Sequence, residues 1–209
     1  MKKRLFIVLV CGIFLILSCS QKQPMRKYFI FEFTSQDFPA IQRTDTTFNY
    51  IVDVRDFRVA RAFDQTRMVV RTQSNELKYY YYHHWAVRPS YAVADLVYDY
   101  FDYQRLFNEL YRGISYNPDF IISGQVRSIE RLQTKVGDIA HINIVLKLQS
   151  AEDETTVMSH EATLTEKLDD QSMNGFVHTL NKNLLFTLEQ FKRKIIDYLG
   201  KNADNNQTK

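Results

Sequence analysis

The chain has 209 residues, with 27 Lys+Arg against 24 Asp+Glu, a formal net charge of +3 and two cysteines. Three of the basic residues, Lys2, Lys3 and Arg4, sit in a leader that reads as removable, so the mature chain is near neutral and carries no basic stripe that would argue for nucleic acid. One cysteine then remains, which excludes an intrachain disulfide and a cysteine zinc cluster, while 13 Tyr and 15 Phe against 6 Gly and 4 Pro describe a packed, sheet-containing domain.

Met1-Lys2-Lys3-Arg4 precedes an uncharged run from Leu5 to Leu17, a positively charged n-region followed by an h-region. A helix of that length rises about 20 Å, short of the about 30 Å hydrocarbon core of a bilayer. Residues 1–18 therefore read as a signal peptide rather than a span. Ile16-Leu17-Ser18-Cys19 resembles a lipobox: aliphatic residues, a small residue, then the cysteine that becomes the new N-terminus. A thioether to lipid needs a thiol, so Cys19 is the expected attachment point, with palmitate-type acyl chains. Two or more chains hold stably where one gives only marginal binding, so the protein is expected to be anchored to a membrane without crossing it. Ser20 stands where an aspartate would favour inner-membrane retention, which points to the periplasmic face of the outer membrane rather than the inner membrane.

Residues 19–27 read as the lipidated N-terminus and a polar tether, 28–200 as a single α+β domain and 201–209 as a disordered tail. About 190 mature residues bury a core without staples. The β-formers of 28–33 predict a first strand, and 34–47 a loop. The alternation of Val52 and Val54 with Asp53 and Arg55 predicts a half-buried strand over 50–59. Residues 68–72 and 77–85, separated by Gln73-Ser74-Asn75-Glu76, predict a hairpin. In its second strand Tyr79, Tyr81, His83 and Trp85 share one face, and Tyr80, Tyr82 and His84 the other. A helix is predicted from Ser90 as N-cap to about residue 111, with a break near Asp102.

The run from Phe120 to Leu132 and that from Ala140 to Leu148 predict a hairpin turned at Val136-Gly137-Asp138, with Ile142, Ile144, Leu146 and Leu148 on one face. A further strand over 155–168 completes a meander. Phe176, Leu180, Leu184, Leu188, Phe191 and Ile195 then recur at helical spacing within a long helix over 172–199. The expected architecture is a mainly antiparallel sheet with two principal helical segments packed on one face.

Catalytic signatures are absent from this sequence. Adjacent His83 and His84 point to opposite faces of a strand and cannot share one ion, and His160-Glu161 lacks the second histidine of a zinc helix. Ser123-Gly124 lacks a nucleophile elbow's preceding glycine, and no GxxxxGK[ST] or GxGxxG occurs. The reading is a non-enzyme with no cofactor and no metal. Tyr81 and Trp85 are the candidates for partner contact, because large aromatics dominate interfaces; the competing reading has Trp85 plugging the core beneath the helix at Ser90.

Tyr28-Phe29-Ile30, the block Arg67-Met68-Val69-Val70-Arg71 through Glu76-Leu77-Lys78-Tyr79 to Trp85-Ala86-Val87-Arg88-Pro89, and Pro118-Asp119-Phe120-Ile121-Ile122-Ser123-Gly124-Gln125-Val126 together resemble the ABC-type transport auxiliary lipoprotein family. Where that family's central strand usually ends in arginine-tryptophan with acidic residues after it, this chain has His84 before Trp85 and Val87-Arg88 after. The resemblance implies an outer-membrane partner of an MCE-type lipid transport system. An MCE-domain protein would be its direct contact, with an ABC permease and ATPase as indirect ones. Homo-oligomers are compatible with this role. The competing function is an assembly or scaffolding lipoprotein of another envelope machine.

Overall fold

The computed structural model describes residues 24–33, 43–113 and 117–207, with side chains to 202. The signal peptide, Ile16, Leu17, Ser18, Cys19 and part of the 34–47 loop lie outside the described residues. In chain order the elements are β1 (Lys27–Phe29), β2 (Phe48–Val54), β3 (Arg58–Val59), β4 (Arg67–Gln73), β5 (Glu76–Trp85), α1 (Pro89–Gln104), β6 (Phe107–Tyr111), β7 (Phe120–Leu132), β8 (Ile139–Ser150), β9 (Thr156–Lys167) and α2 (Met173–Gln207).

Strand β7 organises the sheet. Along one edge it pairs antiparallel with β8 over its whole length, and β8 pairs likewise with β9. Along its other edge three short strands follow one another in parallel: β2 beside Phe120–Ile122, β3 beside Gln125 and Val126, and β4 beside Arg131 and Leu132. The sheet then widens at each end, through β5 and β1 beyond β4 and through β6 beyond β2. The class is α+β. The sheet is mainly antiparallel, as expected, through its three long ladders, and the N-terminal strands add short parallel pairings to it where they reach β7.

Period-two burial selects the packed face. Ala140, Ile142, Ile144, Leu146 and Leu148 of β8 are all buried, and they meet Phe176, Leu180, Leu184, Leu188, Phe191 and Ile195 of α2 in one core. Each such aliphatic or aromatic side chain stabilises the fold by about 1.5–3 kcal/mol relative to exposure. Helix α1 contributes Val93, Leu96, Val97, Tyr100 and Phe101 to the same core. Its Phe101 ring lies 6.2 Å from Phe191 of α2, and the Tyr100 hydroxyl donates to Glu189, which also accepts from Lys192 Nζ at 2.7 Å. Burial, reinforced by that carboxylate, pushes the Tyr100 phenol far above its ordinary range.

The opposite face of the meander carries cross-strand polar pairs: Asn143 with Thr163 at 2.6 Å, His141 with Thr165 at 3.0 Å, and Arg71 in a bidentate pair with Glu130 at 3.0 Å on each arm. From β7, Arg131 donates to Asp138 at 2.5 Å and to the Gln171 carbonyl at 2.7 Å. This buried pair ties the β7–β8 turn to the start of α2, where Ser172 Oγ caps the helix by accepting from the Gly175 N–H at 3.1 Å.

Several elements depart from expectation. The first strand spans only Lys27–Phe29, and the run over 50–59 splits after Arg55, whose N–H still bonds the Ile122 carbonyl of β7 at 2.9 Å, as the Phe57 N–H turns to the Ser90 carbonyl at 3.1 Å. Phe57 can lie on the sheet because residue 124 is glycine; a Cβ there would sit 2.4 Å from its ring. The helix expected to reach residue 111 ends at Gln104, where Arg105 turns left-handed (φ 50°, ψ 37°), and Phe107–Tyr111 form β6 beside β2. Its N-cap is Arg88 with Pro89 in the first turn, not Ser90, since proline is pre-set for that position. Residues 201–207, expected as tail, continue α2, as propagation adds a backbone bond per residue once a helix is formed.

Gly137 holds φ 119° in the β7–β8 turn, a region that side chains rarely adopt. Gly137→Ala is expected to destabilise the fold by about 2 kcal/mol, read as a lower urea midpoint at unchanged m-value.

Burial lowers the pKa of His83, His141 and His160 below the ordinary 6.5. Just below that value the unfolded chain binds more protons than the folded one, so stability present above about pH 6.5 falls as acid is added. Urea midpoints at about pH 7.5 and about pH 5.5 should show this loss, and His160→Leu should shrink it.

Candidate docking surface at the end of the sheet

The tyrosine strand β5 does not alternate regularly. Val69 of β4 pairs with Tyr79, yet Arg67, two residues back, pairs with His84, five residues on, so β5 accommodates three extra residues in a bulge. The bulge is closed by His84 Nε2, 3.0 Å from the Tyr81 carbonyl, and it brings the neighbouring Tyr81 and Tyr82 rings within 4.8 Å of each other. Tyr81 is 68% exposed and Tyr82 is also exposed.

This irregularity separates the two candidate contact residues. Trp85 is 3% exposed, its ring 4.7 Å from buried Phe31, and its backbone N–H donates to the Thr66 carbonyl at 2.6 Å. It is a core residue, so the expectation that it shares an accessible face with Tyr81 is corrected. Tyr81 stands at the surface.

Parallel pairing of β1 with β5 places Tyr28 beside His84, with rings 5.6 Å apart, and Lys27 beside His83. The Arg67 guanidinium lies over the Tyr79 ring, 5.0 Å from its centroid. Tyr28, His84, Arg67 and Tyr79 thus form a continuous strip on the face away from the helices, with exposed Ile30 and Met25 next to it along the chain. Sequence reasoning singled out Tyr81 but not Tyr28, Ile30 or Arg67; the period-two spacing of Tyr28 and Ile30 carried the signal, while the strand that seats them beside β5 is distant in sequence.

His83 turns the other way, with Phe29 at 5.9 Å and Tyr80 at 5.3 Å between ring centroids. The two histidines therefore lie on opposite faces. Among the described residues no three His, Cys, Asp or Glu side chains gather as a metal site. His160 is buried facing Lys194 and Gln190 of α2.

A second depression, beside β2 and β6, is lined by Asp53, Arg55, Asp56, Tyr91 and Arg112. Its charges are used internally: Arg112 donates to Asp95 at 2.8 Å, Asp56 at 2.7 Å and the Val54 carbonyl at 3.3 Å, while Asp53 accepts the Gly113 N–H at 2.7 Å. Such an arginine clamp fixes β6 against β2 and α1. No helix among the described residues is long and apolar enough to cross a membrane.

Two solved structures share this architecture. The protein XCC0632 from Xanthomonas campestris, assigned to DUF330, superposes with a TM-score of 0.73 at 16% identity, covering 85% of this chain and 99% of that one. An uncharacterized protein gives 0.64 at 12% identity, over 82% of this chain and 99% of that one. At these identities the likeness shows the fold. No curated protein matches the sequence. Family-level similarity is wider in what it says: the pattern of the ABC-type transport auxiliary lipoprotein component matches residues 34–191, from the loop before β2 to Phe191 in the core of α2, and the chain belongs to that family.

Proposed function

We propose that the protein is a non-catalytic auxiliary component of an MCE-type ABC transport system, anchored by lipid on Cys19 at the periplasmic face of the outer membrane. There it would dock or terminate a route that carries lipid or another hydrophobic molecule across the periplasm. The observation that carries this reading is the family match over residues 34–191, joined to the lipobox Ile16-Leu17-Ser18-Cys19 ahead of it. A docking role suits a domain whose titratable clusters are spent on structure, as in the Arg112 clamp and the Arg131–Asp138 pair. In this role the chain takes no cofactor and leaves ATP hydrolysis to its partners.

The test is affinity isolation of the acylated protein from cross-linked membranes. An MCE-domain protein, with a permease and an ATPase behind it, is expected to co-purify, and the protein should band with outer-membrane material on a density gradient. Recovery of assembly or secretion components in their place would favour the scaffolding function.

A further inference from the structure

The strip at the β1–β5 end is unlike the rest of the helix-free face. Over β7, β8 and β9 that face is covered by polar cross-strand pairs, whereas here it presents Tyr28 at 61% exposure and Ile30 at 47%, with Tyr79 also exposed, and the bulge of β5 next to it exposes Tyr81 at 68% and Tyr82. Contiguous exposed aromatics of this kind mark a contact surface. Its own cations are Arg67 and, two residues before Tyr28, Arg26; Lys27 beside His83 and Lys78 beside Val70 stand on the other side of the strands, and Glu76 is held by Thr72 at 2.6 Å and Lys78 at 3.3 Å. Glu32 follows as the chain turns toward α2, where the Glu32 carbonyl accepts from Asn181 at 2.7 Å.

The position of this strip in the chain identifies what it meets. From Cys19 to Lys27 is eight residues, which even fully extended span about 27 Å. An anchor at Cys19 thus keeps β1, and the tyrosines paired to it, within that distance of the bilayer, while the far ends of β8 and α2 have no such tether. Tyrosine is the residue type that rests at headgroup level, apolar ring inward and hydroxyl in water, and basic side chains complement anionic headgroups.

We propose that the exposed strip formed by Tyr28, Ile30, Arg67, Tyr79, Tyr81 and Tyr82 lies on the surface of an anionic bilayer, orienting the domain with its meander and α2 away from the membrane. This rests on the reading of Cys19 as the lipid-bearing residue. The bulge in β5 has a role here, since it leaves Tyr81 and Tyr82 exposed in a strand whose last residues, His84 and Trp85, are buried.

The acylated full protein tests this directly, because its one mature cysteine is blocked by lipid and a single new cysteine takes a fluorescent label uniquely. Tyr28→Cys, Tyr81→Cys, Glu161→Cys and Phe186→Cys would each carry an environment-sensitive dye, in vesicles of phosphatidylethanolamine and phosphatidylglycerol. Thermal melts confirm that each labelled variant is folded. Labels at positions 28 and 81 are expected to shift to the blue and to be quenched by doxyl lipids, while those at 161 and 186 are not. Equal exposure to water at positions 81 and 186 in protein that floats with the vesicles overturns the proposal. So does a blue shift that grows with protein density and resists lipid quenching, which would mean a second copy covers the strip. Protein that fails to float overturns the anchor and the seat together, and flotation alone tells that case apart.

Discussion

Cys19→Ala is expected to abolish acylation and remove the protein from the outer-membrane fraction. The other cysteine, Cys11, lies inside the apolar run with no lipobox before it, so the variant would keep its unprocessed leader or be exported without lipid, and in neither case carry acyl chains. Each buried methylene contributes about 0.8 kcal/mol to membrane binding, so losing two or more chains removes a contribution that no surface contact replaces. The measurement is detergent-phase partitioning together with incorporation of labelled palmitate. Retention of label in the variant would place the lipid elsewhere and withdraw the assignment of Cys19. The folded domain should be unaffected, because the residue lies ahead of Lys27, where β1 begins.

Trp85→Ala should cost about 3–5 kcal/mol of folding stability, the range for removing a large aromatic from a packed core. The indole is 3% exposed, with its ring 4.7 Å from that of Phe31 and tilted by 35°, so its removal opens a cavity where β1 and β5 meet. Against a typical total of about 5–15 kcal/mol this is a large share, and chemical denaturation should show a much lower midpoint. Tyr81→Ala is the contrast, expected within about 0.5 kcal/mol of the parent because that ring is mostly in water. Wild-type stability for Trp85→Ala would remove the residue from the core.

What the sequence displayed and what it hid follow from the range of the interactions. The β7–β8 and β4–β5 hairpins were legible because turn and alternation are local, and α2 because Phe176 to Ile195 repeat at helical spacing. Strand β6 was not, since Leu106, Phe107 and Leu110 continue the apolar rhythm of α1 and the stop is a left-handed Arg105, with neither glycine nor proline to announce it. The parallel seats of β2, β3 and β4 on β7 depend on partners some sixty residues away, which no local pattern encodes. At the candidate surface, composition marked the tyrosines, but the β5 bulge decided which of them reach water. The proposed anchor rests on four residues, Ile16 to Cys19, which lie outside the described residues and are a signal for an enzyme rather than for a fold.

The arrangement of β2, β3 and β4 end to end along one side of β7 also sets an order of events in time. All three are synthesised before Phe120, so the first half of the chain emerges with strands whose shared neighbour does not yet exist. The β4–β5 hairpin is the local pairing of that half, β1–β5 and β2–β6 join strands distant in sequence, and the edges that seat on β7 stay open until it arrives; closing such distant pairings is slow and exposes sticky backbone meanwhile. A chain threaded outward from its N-terminus would therefore depend on holdase chaperones until about residue 132, after which the meander and α2 complete the fold from largely local contacts.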